Sequence, residues 1–346
     1  MIWIPFKAFP KSFLGVDIGT FSIKIVEISL WGKKKKLENY GEIKPEALYE
    51  KPFRALEKNT LILSSQDVAQ TISSLLKEAK IKAKESCFSI PDFSSFFTTI
   101  SLPSMSKEEL SQAVKYEARQ HIPLPLSEVT LDWQIIGEGK ILLVAVPNEV
   151  IYQYQEIAKN SQLKLQAMEA EVFGLARALV KDQTPVFLVD IGARSTTCSI
   201  VDQGVIKLSH SFDTSGNDFT NAIARGFNLD YSKAEELKKK RGLISTDQTD
   251  TRELLMPLIN LILNEIGKIY QNFLQNENKE IEKIILGGGS ALLPGLKEYF
   301  SEQLKKPVEV ANPFADLHYP PLLAQTLKKM GPSYSIAVGA ALRSLE

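Results

Sequence analysis

The chain has 346 residues and carries 41 Lys+Arg against 41 Asp+Glu, so its formal net charge is zero. That length supports two or three domains with large cores, and the charge balance leaves no bulk electrostatic case for nucleic-acid binding. Hydrophobic residues at 44% and charged residues at 24% are ordinary for a globular protein, and no apolar run reaches a membrane span. Cys87 and Cys198 have no metal-ligand spacing and read as buried thiols in a reducing compartment, which makes the cytoplasm the expected location.

The first residues, Met1-Ile2-Trp3-Ile4-Pro5-Phe6, are too short for a signal peptide and are broken by Pro5 and Pro10. Trp3, Phe6 and Phe9 with Lys7 and Lys11 fit either a membrane-surface contact or a tail tucked on the first sheet. Residues 13–30 read as a hairpin turning at Asp17–Thr20, and Lys33–Lys36 after Gly32 as a solvated hairpin turn. Val68, Ile72, Leu75, Leu76 and Ala79 give residues 66–80 helical periodicity. Strand character returns over 86–100. Ser106 with Glu109 then forms a capping box that opens a helix, which ends before the Pro-interrupted run Ile122–Leu126.

Residues 129–136 and 141–147 read as two strands around Gly137–Gly139, so 86–148 reads as a small α+β insertion. Helix, short link and helix are expected over 149–181. A strand starts at Val186, with Val205–Ser211 as its return. Helices follow at 217–240 and 252–276, a strand at Ile284–Leu286, a helix at Leu292–Gln303, a short strand at Val308–Ala311 and a closing helix at Ile336–Leu345. Strands followed by helices in each half predict α/β layers. The expected domains are a first lobe (1–85 with 149–185), the insertion (86–148) and a second lobe (186–346) whose closing helix packs back toward the first.

One phrase occurs twice. Phe13-Leu14-Gly15-Val16-Asp17-Ile18-Gly19-Thr20 is echoed by Phe187-Leu188-Val189-Asp190-Ile191-Gly192-Ala193-Arg194-Ser195-Thr196-Thr197. Asp17 and Asp190 stand 173 positions apart, half of the 346 residues. Gly19 can take positive φ at its turn and aim backbone N–H groups at an anion. Thr20 and Ser22 offer hydroxyls, and Lys24 shares a strand face with Ser22. Asp17 is placed to hold Mg²⁺ through water. An ordinary Asp-x-Gly hairpin would read the same way, but Asp190, Gly192, Ser195, Thr196 and Thr197 repeat the pattern and suggest a two-sided polyphosphate clamp.

Gly287-Gly288-Gly289-Ser290 between a strand and a helix lets a ligand approach the backbone. Ala234-Glu235-Glu236-Leu237-Lys238 fits either a charged helix end capped by Gly242 or part of a site. His121, His210 and His318 are scattered and read as structural.

These motifs, in this order and with a closing Ala-x-Gly-Ala-Ala helix, resemble the actin/Hsp70/hexokinase superfamily of ATP-binding proteins. Within it the insertion resembles that of the FtsA-like branch. Leu102-Pro103-Ser104-Met105, Ala113–Arg119, Ile122-Pro123-Leu124-Pro125-Leu126, Asp132-Trp133-Gln134, Leu143–Pro147 and Glu171–Leu179 resemble the PilM family of type IV pilus assembly.

The resemblance implies an actin-like two-lobed α/β fold, ATP with Mg²⁺ as cofactors, and Asp17 and Asp190 as metal-side carboxylates. It implies that Gly19, Thr20, Ser22 and Lys24 hold phosphates opposite Gly192, Ser195 and Thr196. Gly288, Gly289, Ser290 and Leu293 would line the adenosine pocket, with Glu235 and Lys238 reaching adenine and ribose. The water-positioning carboxylate would be Glu169, with Glu171 as the alternative, acting beside Asp190. Actins place an acidic residue where this chain has Ala193. That departure implies slow hydrolysis or binding without turnover, with nucleotide state acting as a switch.

The resemblance further implies a cytoplasmic scaffold at the inner face of the membrane that binds the N-terminal cytoplasmic peptide of PilN. Other pilus inner-membrane proteins are implied partners, and self-association is open. The groove between first lobe and insertion is the expected receptor. Ile122–Leu126 and the strands of 129–147 form either its walls or the insertion's own core. Two alternatives share the clamp. An FtsA-like division filament would pellet on lipid with ATP, and a small-molecule kinase would need an acidic base that the chain does not clearly offer. The GspL relatives of type II secretion carry a membrane span.

Overall fold

The protein is described from a computed structural model covering residues 11–44, 56–57, 60–61, 64–103, 105–244 and 250–345. Trp3, Phe6, Lys7 and Phe9 lie outside the described residues. The first half runs β1 (Ser12–Ile18), β2 (Ile23–Trp31), β3 (Lys34–Ile43), the two-residue strands β4 (Leu56–Glu57) and β5 (Thr60–Leu61), α1 (Ser65–Glu78) and β6 (Glu85–Ile90). It continues with β7 (Phe96–Ser101), α2 (Lys107–His121), β8 (Val129–Gly137), β9 (Lys140–Pro147), α3 (Asn148–Asn160), β10 (Lys164–Ala170) and α4 (Glu171–Leu179). The second half runs β11 (Val186–Ile191), β12 (Thr196–Asp202), β13 (Val205–Phe212), α5 (Gly216–Phe227), α6 (Tyr231–Arg241) and α7 (Thr251–Glu277). It ends with β14 (Lys283–Gly287), α8 (Leu296–Leu304), β15 (Val308–Val310) and α9 (Ala324–Arg343).

The two halves build the same sheet. The first has strand order β10-β6-β1-β2-β3 and the second β15-β14-β11-β12-β13. Corresponding neighbours pair in the same sense: two parallel pairs on one side of β1 and β11, two antiparallel pairs on the other. β1 and β11 are central, so both faces must be covered, and both read as near-continuous apolar runs. Helices α1 and α3 cover one face of the first sheet through Val68, Ile72, Tyr154 and Ile157. Its other face is covered by α9, where Ala337, Val338 and Ala341 meet Val26, Ile28 and Leu37.

The seat of α9 depends on missing side chains. A Cβ on Gly339 would lie 1.9 Å from the Gly174 carbonyl oxygen, and one on Gly15 would lie 1.9 Å from that of Ala337. Helices α4 and α9 therefore touch backbone to backbone, and α9 lies directly on β1. Buried backbone contact of this kind tolerates no added atom.

The insertion has its own sheet, β7-β9-β8, covered by α2 through Leu110, Val114 and Ala118. The boundary expected at residue 86 falls inside β6, which pairs with β1 and β10 in the first sheet. Apolar β-branched content cannot say which sheet a strand joins, so the run 86–100 conceals two strands belonging to different sheets. Ile122, Leu124 and Leu126 pack into the insertion's own core. Lys140 reaches Glu277 of α7 at 2.6 Å, and the Lys207 ammonium donates to the Ile136 carbonyl, so the insertion also touches the second half.

Other boundaries shift for local reasons. The link expected within 149–181 is strand β10. The helix expected over 217–240 divides at Asn228, which sits in left-handed backbone (φ 51°), and restarts on the Asp230 cap. The strand returning from β11 is Thr196–Asp202, with 205–212 forming the next strand outward. The helix expected from Leu292 begins at Leu296, and the closing helix begins at Ala324 and carries Pro332 within it.

Candidate nucleotide-binding site

The cleft between the two sheets is formed by the paired hairpins. In β1–β2, Asp17 stands opposite Lys24, and in β11–β12, Asp190 stands opposite Thr197. The turns close identically: the Gly19 N–H donates to the Ser22 carbonyl at 3.1 Å and the Gly192 N–H to the Ser195 carbonyl at 3.0 Å. Neither glycine is among the residues with positive φ, contrary to the expectation for Gly19. Glycine is favoured there by crowding: a Cβ would sit 3.0 Å from the Ser22 carbonyl oxygen in one turn and 3.0 Å from that of Ser195 in the other, so each turn would have to give by a few tenths of an ångström.

Asp17, Gly19, Thr20, Ser22 and Lys24 line the cleft from the first lobe, and Asp190, Gly192 and Ser195 from the second. Glu235, Lys238, Gly288, Gly289 and Ser290 close its far side. The Gly288 N–H donates to the Pro332 carbonyl at 3.0 Å, tying the glycine loop to α9. Lys238 donates to the Gly216 carbonyl at 3.0 Å and the Thr220 hydroxyl at 2.9 Å, and pairs with Glu235 at 2.6 Å. Burial opposes the Glu235 charge, but Lys238, Thr220 and Lys239 together hold its carboxyl below the usual range.

Three expected site residues lie elsewhere. The Thr196 hydroxyl points away from the cleft and donates to the Thr214 carbonyl at 2.7 Å, because side chains alternate along β12 and put 195 and 197 on the cleft side. Leu293 is buried in the second core. Glu169 is held outside the cleft by a bidentate pair with Arg177, at 2.6 and 2.9 Å. The chain turns from strand into helix directly after it, so Glu171, at the first turn of α4, faces the cleft instead.

Asp92 was not singled out from the sequence. The Val172 N–H donates to its carboxylate at 3.2 Å, while the Asp92 N–H donates to Glu171 at 3.2 Å. This reciprocal cap fixes Glu171 at the helix N-terminus. Phe21, Phe93 and Arg194 also line the cleft, with the Arg194 guanidinium 4.7 Å from the centre of the Phe93 ring. Phe21 and Arg194 lie inside the two hairpin motifs, where they carry no phosphate-binding signal of their own, and only assembly of the fold sets Arg194 against Phe93.

The carboxylates crowd one another. Burial and the Asp17 charge push Asp190 up to about 7, with Lys24 opposing. Burial also raises Asp92 to about 7 and Glu171 well above the usual carboxylate range. Asp17 is raised by burial, with Lys24 and the Ser89 hydroxyl opposing. The cleft is lined by five carboxylates (Asp17, Glu42, Glu171, Asp190, Glu235) and five cations (Lys24, Lys44, Arg194, Lys238, Lys239). A polyphosphate would therefore meet a formally neutral wall, and a divalent cation between the carboxylates would relieve the repulsion on both sides.

The residues fit such a group. The Ser22 hydroxyl is buried with no hydrogen-bond partner from the protein, so it is available to a bound molecule or water in the cleft. Among the described residues no three Asp, Glu, His or Cys side chains form a metal cluster. Two carboxylates from opposing hairpins suit Mg²⁺ that keeps most of its water.

A second concavity of about 1000 Å³ lies between the insertion, the first lobe and the β12–β13 hairpin of the second (Val201, Gly204, Ile206), against about 270 Å³ for the cleft. Thr130, Asp132, Trp133 and Gln134 of β8 form one wall and residues 167–170 of β10 another. Both strands are outermost in their sheets, so each offers an edge to the groove.

The family profile described as type IV pilus assembly protein PilM matches residues 15–345. The chain belongs to the PilM family. A solved structure, the "PilM-PilN type IV pilus biogenesis complex", superposes with a TM-score of 0.81 at 26% identity, covering 96% of this chain and 98% of that one. Cell division protein FtsA of Bacillus subtilis (strain 168) is 23% identical over 362 residues, covering 87% of this chain and 78% of FtsA. FtsA of Staphylococcus epidermidis (strain ATCC 12228) is 24% identical over 165 residues, 42% of this chain and only 36% of that relative. MreB5 of Spiroplasma citri bound to AMPPNP shares the fold at a TM-score of 0.56 and 13% identity. This PilM-family chain thus has the actin-like two-lobed α/β fold, with neighbours that include a nucleotide-bound protein. Among the described residues no helix is long and apolar enough to cross a membrane.

Proposed function

We propose that this PilM-family protein is a nucleotide-gated scaffold of the type IV pilus assembly complex. It binds ATP with Mg²⁺ in the cleft and the cytoplasmic N-terminal peptide of PilN in the groove. The observation carrying the first half is the opposed pair of hairpins, with Asp17 and Asp190 on one cleft and the buried, unpartnered Ser22 hydroxyl beside them. Asp17 and Asp190 orient the hydrated cation. Lys24, Thr20 and Ser22 bind phosphate from one side, and the Gly192–Ser195 turn binds it from the other. Glu171 is the group available to orient water, replacing Glu169 in that role, and Glu235 with Lys238 takes the ribose side. Bound Mg²⁺ would supply charge neutralisation for the phosphates. With no acid at Ala193, turnover is slow, and the bound state biases lobe closure.

The groove reading is supported by its two free strand edges and by the solved PilM–PilN complex that this chain resembles over 96% of its length. An extended peptide adds to β8 or β10 through backbone hydrogen bonds while Trp133 and Phe173 contact its apolar side chains. The protein then works at the cytoplasmic face of the inner membrane. Calorimetry of Asp17→Ala/Asp190→Ala tests the cleft: ATP·Mg²⁺ binding is lost, and unchanged affinity refutes the clamp. Titration with a synthetic PilN N-terminal peptide tests the groove, and absence of binding with and without ATP removes the pilus-scaffold assignment.

A further inference from the structure

The tip of the β2–β3 hairpin reads Trp31-Gly32-Lys33-Lys34-Lys35-Lys36, in a chain whose net charge is zero. Trp31 is 58% exposed, although burial is the usual fate of an indole. Trp31 and Lys34 are directly opposed across the hairpin, so ring and ammonium share one face. Lys33 and Lys34 are exposed as well. Among the described residues, acidic groups on the flanking segments are already paired: Glu38 takes Lys36 at 2.7 Å, and Asp316 takes Lys181 at 3.3 Å. Lys35 points to the other face and lines the mouth of the large groove, together with Lys181 and Arg343. None of these groups contributes to the nucleotide cleft.

We propose that this hairpin tip docks on an anionic lipid bilayer, with Trp31 seated among the headgroups and Lys33, Lys34 and Lys35 facing anionic phosphates. Aromatic rings of this kind settle at the membrane interface, and a lysine near an anionic surface contributes about a fivefold gain in binding. Contact is end-on through the tip, because Lys35 lies on the face opposite Trp31 and Lys34 and only the tip brings all of them to one bilayer. Lipid contact itself needs neither the peptide nor ATP, so its failure is separable from failure of the scaffold reading.

The test is flotation of the full chain with vesicles of 70% phosphatidylcholine and 30% phosphatidylglycerol, and with pure phosphatidylcholine vesicles, without nucleotide. Binding is expected only to the anionic vesicles and falls as salt rises. Lys33→Gln/Lys34→Gln/Lys35→Gln loses about a hundredfold, following from three such charges. Trp31→Ser loses binding without changing the salt dependence. Both variants keep the native unfolding midpoint, because the altered groups are exposed or at the groove rim. Equal binding of the triple variant, no binding of the native chain at 0.15 M salt, or equal binding to both vesicle types overturns the proposal. Binding that appears only with ATP and pelletable filaments also overturns it, in favour of an FtsA-like mode.

Discussion

Asp190→Asn isolates the electrostatic cost of keeping the cleft ready for a cation. Burial and Asp17 raise the Asp190 carboxyl from 3.8 to about 7. Between those values the folded chain holds a proton that the unfolded chain has released, so stability falls as pH rises through the window. A shift of about three units corresponds to about 4 kcal/mol at roughly 1.4 kcal/mol per unit. Asparagine has nearly the same shape and no charge. The unfolding free energy of the variant minus that of the native chain should therefore be small near pH 4 and grow to a few kcal/mol by pH 8. Urea unfolding from pH 4 to 8 without nucleotide measures this difference. Saturating ATP·Mg²⁺ should reverse the order at pH 8, because only the native chain gains a ligand. Parallel pH profiles for the two proteins would refute the account of a cleft strained by its own carboxylates.

Gly339→Val places atoms where the Gly174 carbonyl stands and should cost at least about 3 kcal/mol in thermal or chemical unfolding; a tolerated valine contradicts the backbone contact of α4 with α9. Thr196→Val should cost about 1–2 kcal/mol by orphaning the Thr214 carbonyl while leaving ATP affinity unchanged, and Ser195→Ala should do the reverse; calorimetry and denaturation together read both. Glu171→Gln should alter ATP turnover, measured by phosphate release, and leave peptide affinity intact. Glu169→Gln should weaken the Arg177 pair and lower peptide affinity with unchanged ATP binding, as fluorescence titration would show.

Much of the site was legible because its signal is local. Asp-x-Gly with following hydroxyls describes one hairpin turn, and the spacing from Asp17 to Lys24 is the cross-strand register itself. The same register could have excluded Thr196: counting in twos from Ser195 puts it on the far face. Glu169 and Glu171 were separable only by the strand-to-helix corner between them, since two residues apart means the same face in a strand and not in a helix. Asp92 gives no local signal, because its partners Val172 and Glu171 lie about 80 positions away and meet it only when β6 and β10 pair side by side.

The same division holds for the whole chain. Local chemistry in the sequence determined two α/β halves, the hairpins that face a polyphosphate and the capping box at Ser106, because each depends on neighbours within a few residues. Tertiary structure decided that β6 belongs to the first sheet, that α9 of the second half lies on β1, and that β8 and β10 expose their edges to one groove. Those outcomes depend on which apolar faces remain uncovered after every element has formed, and that is a property of the assembled layers.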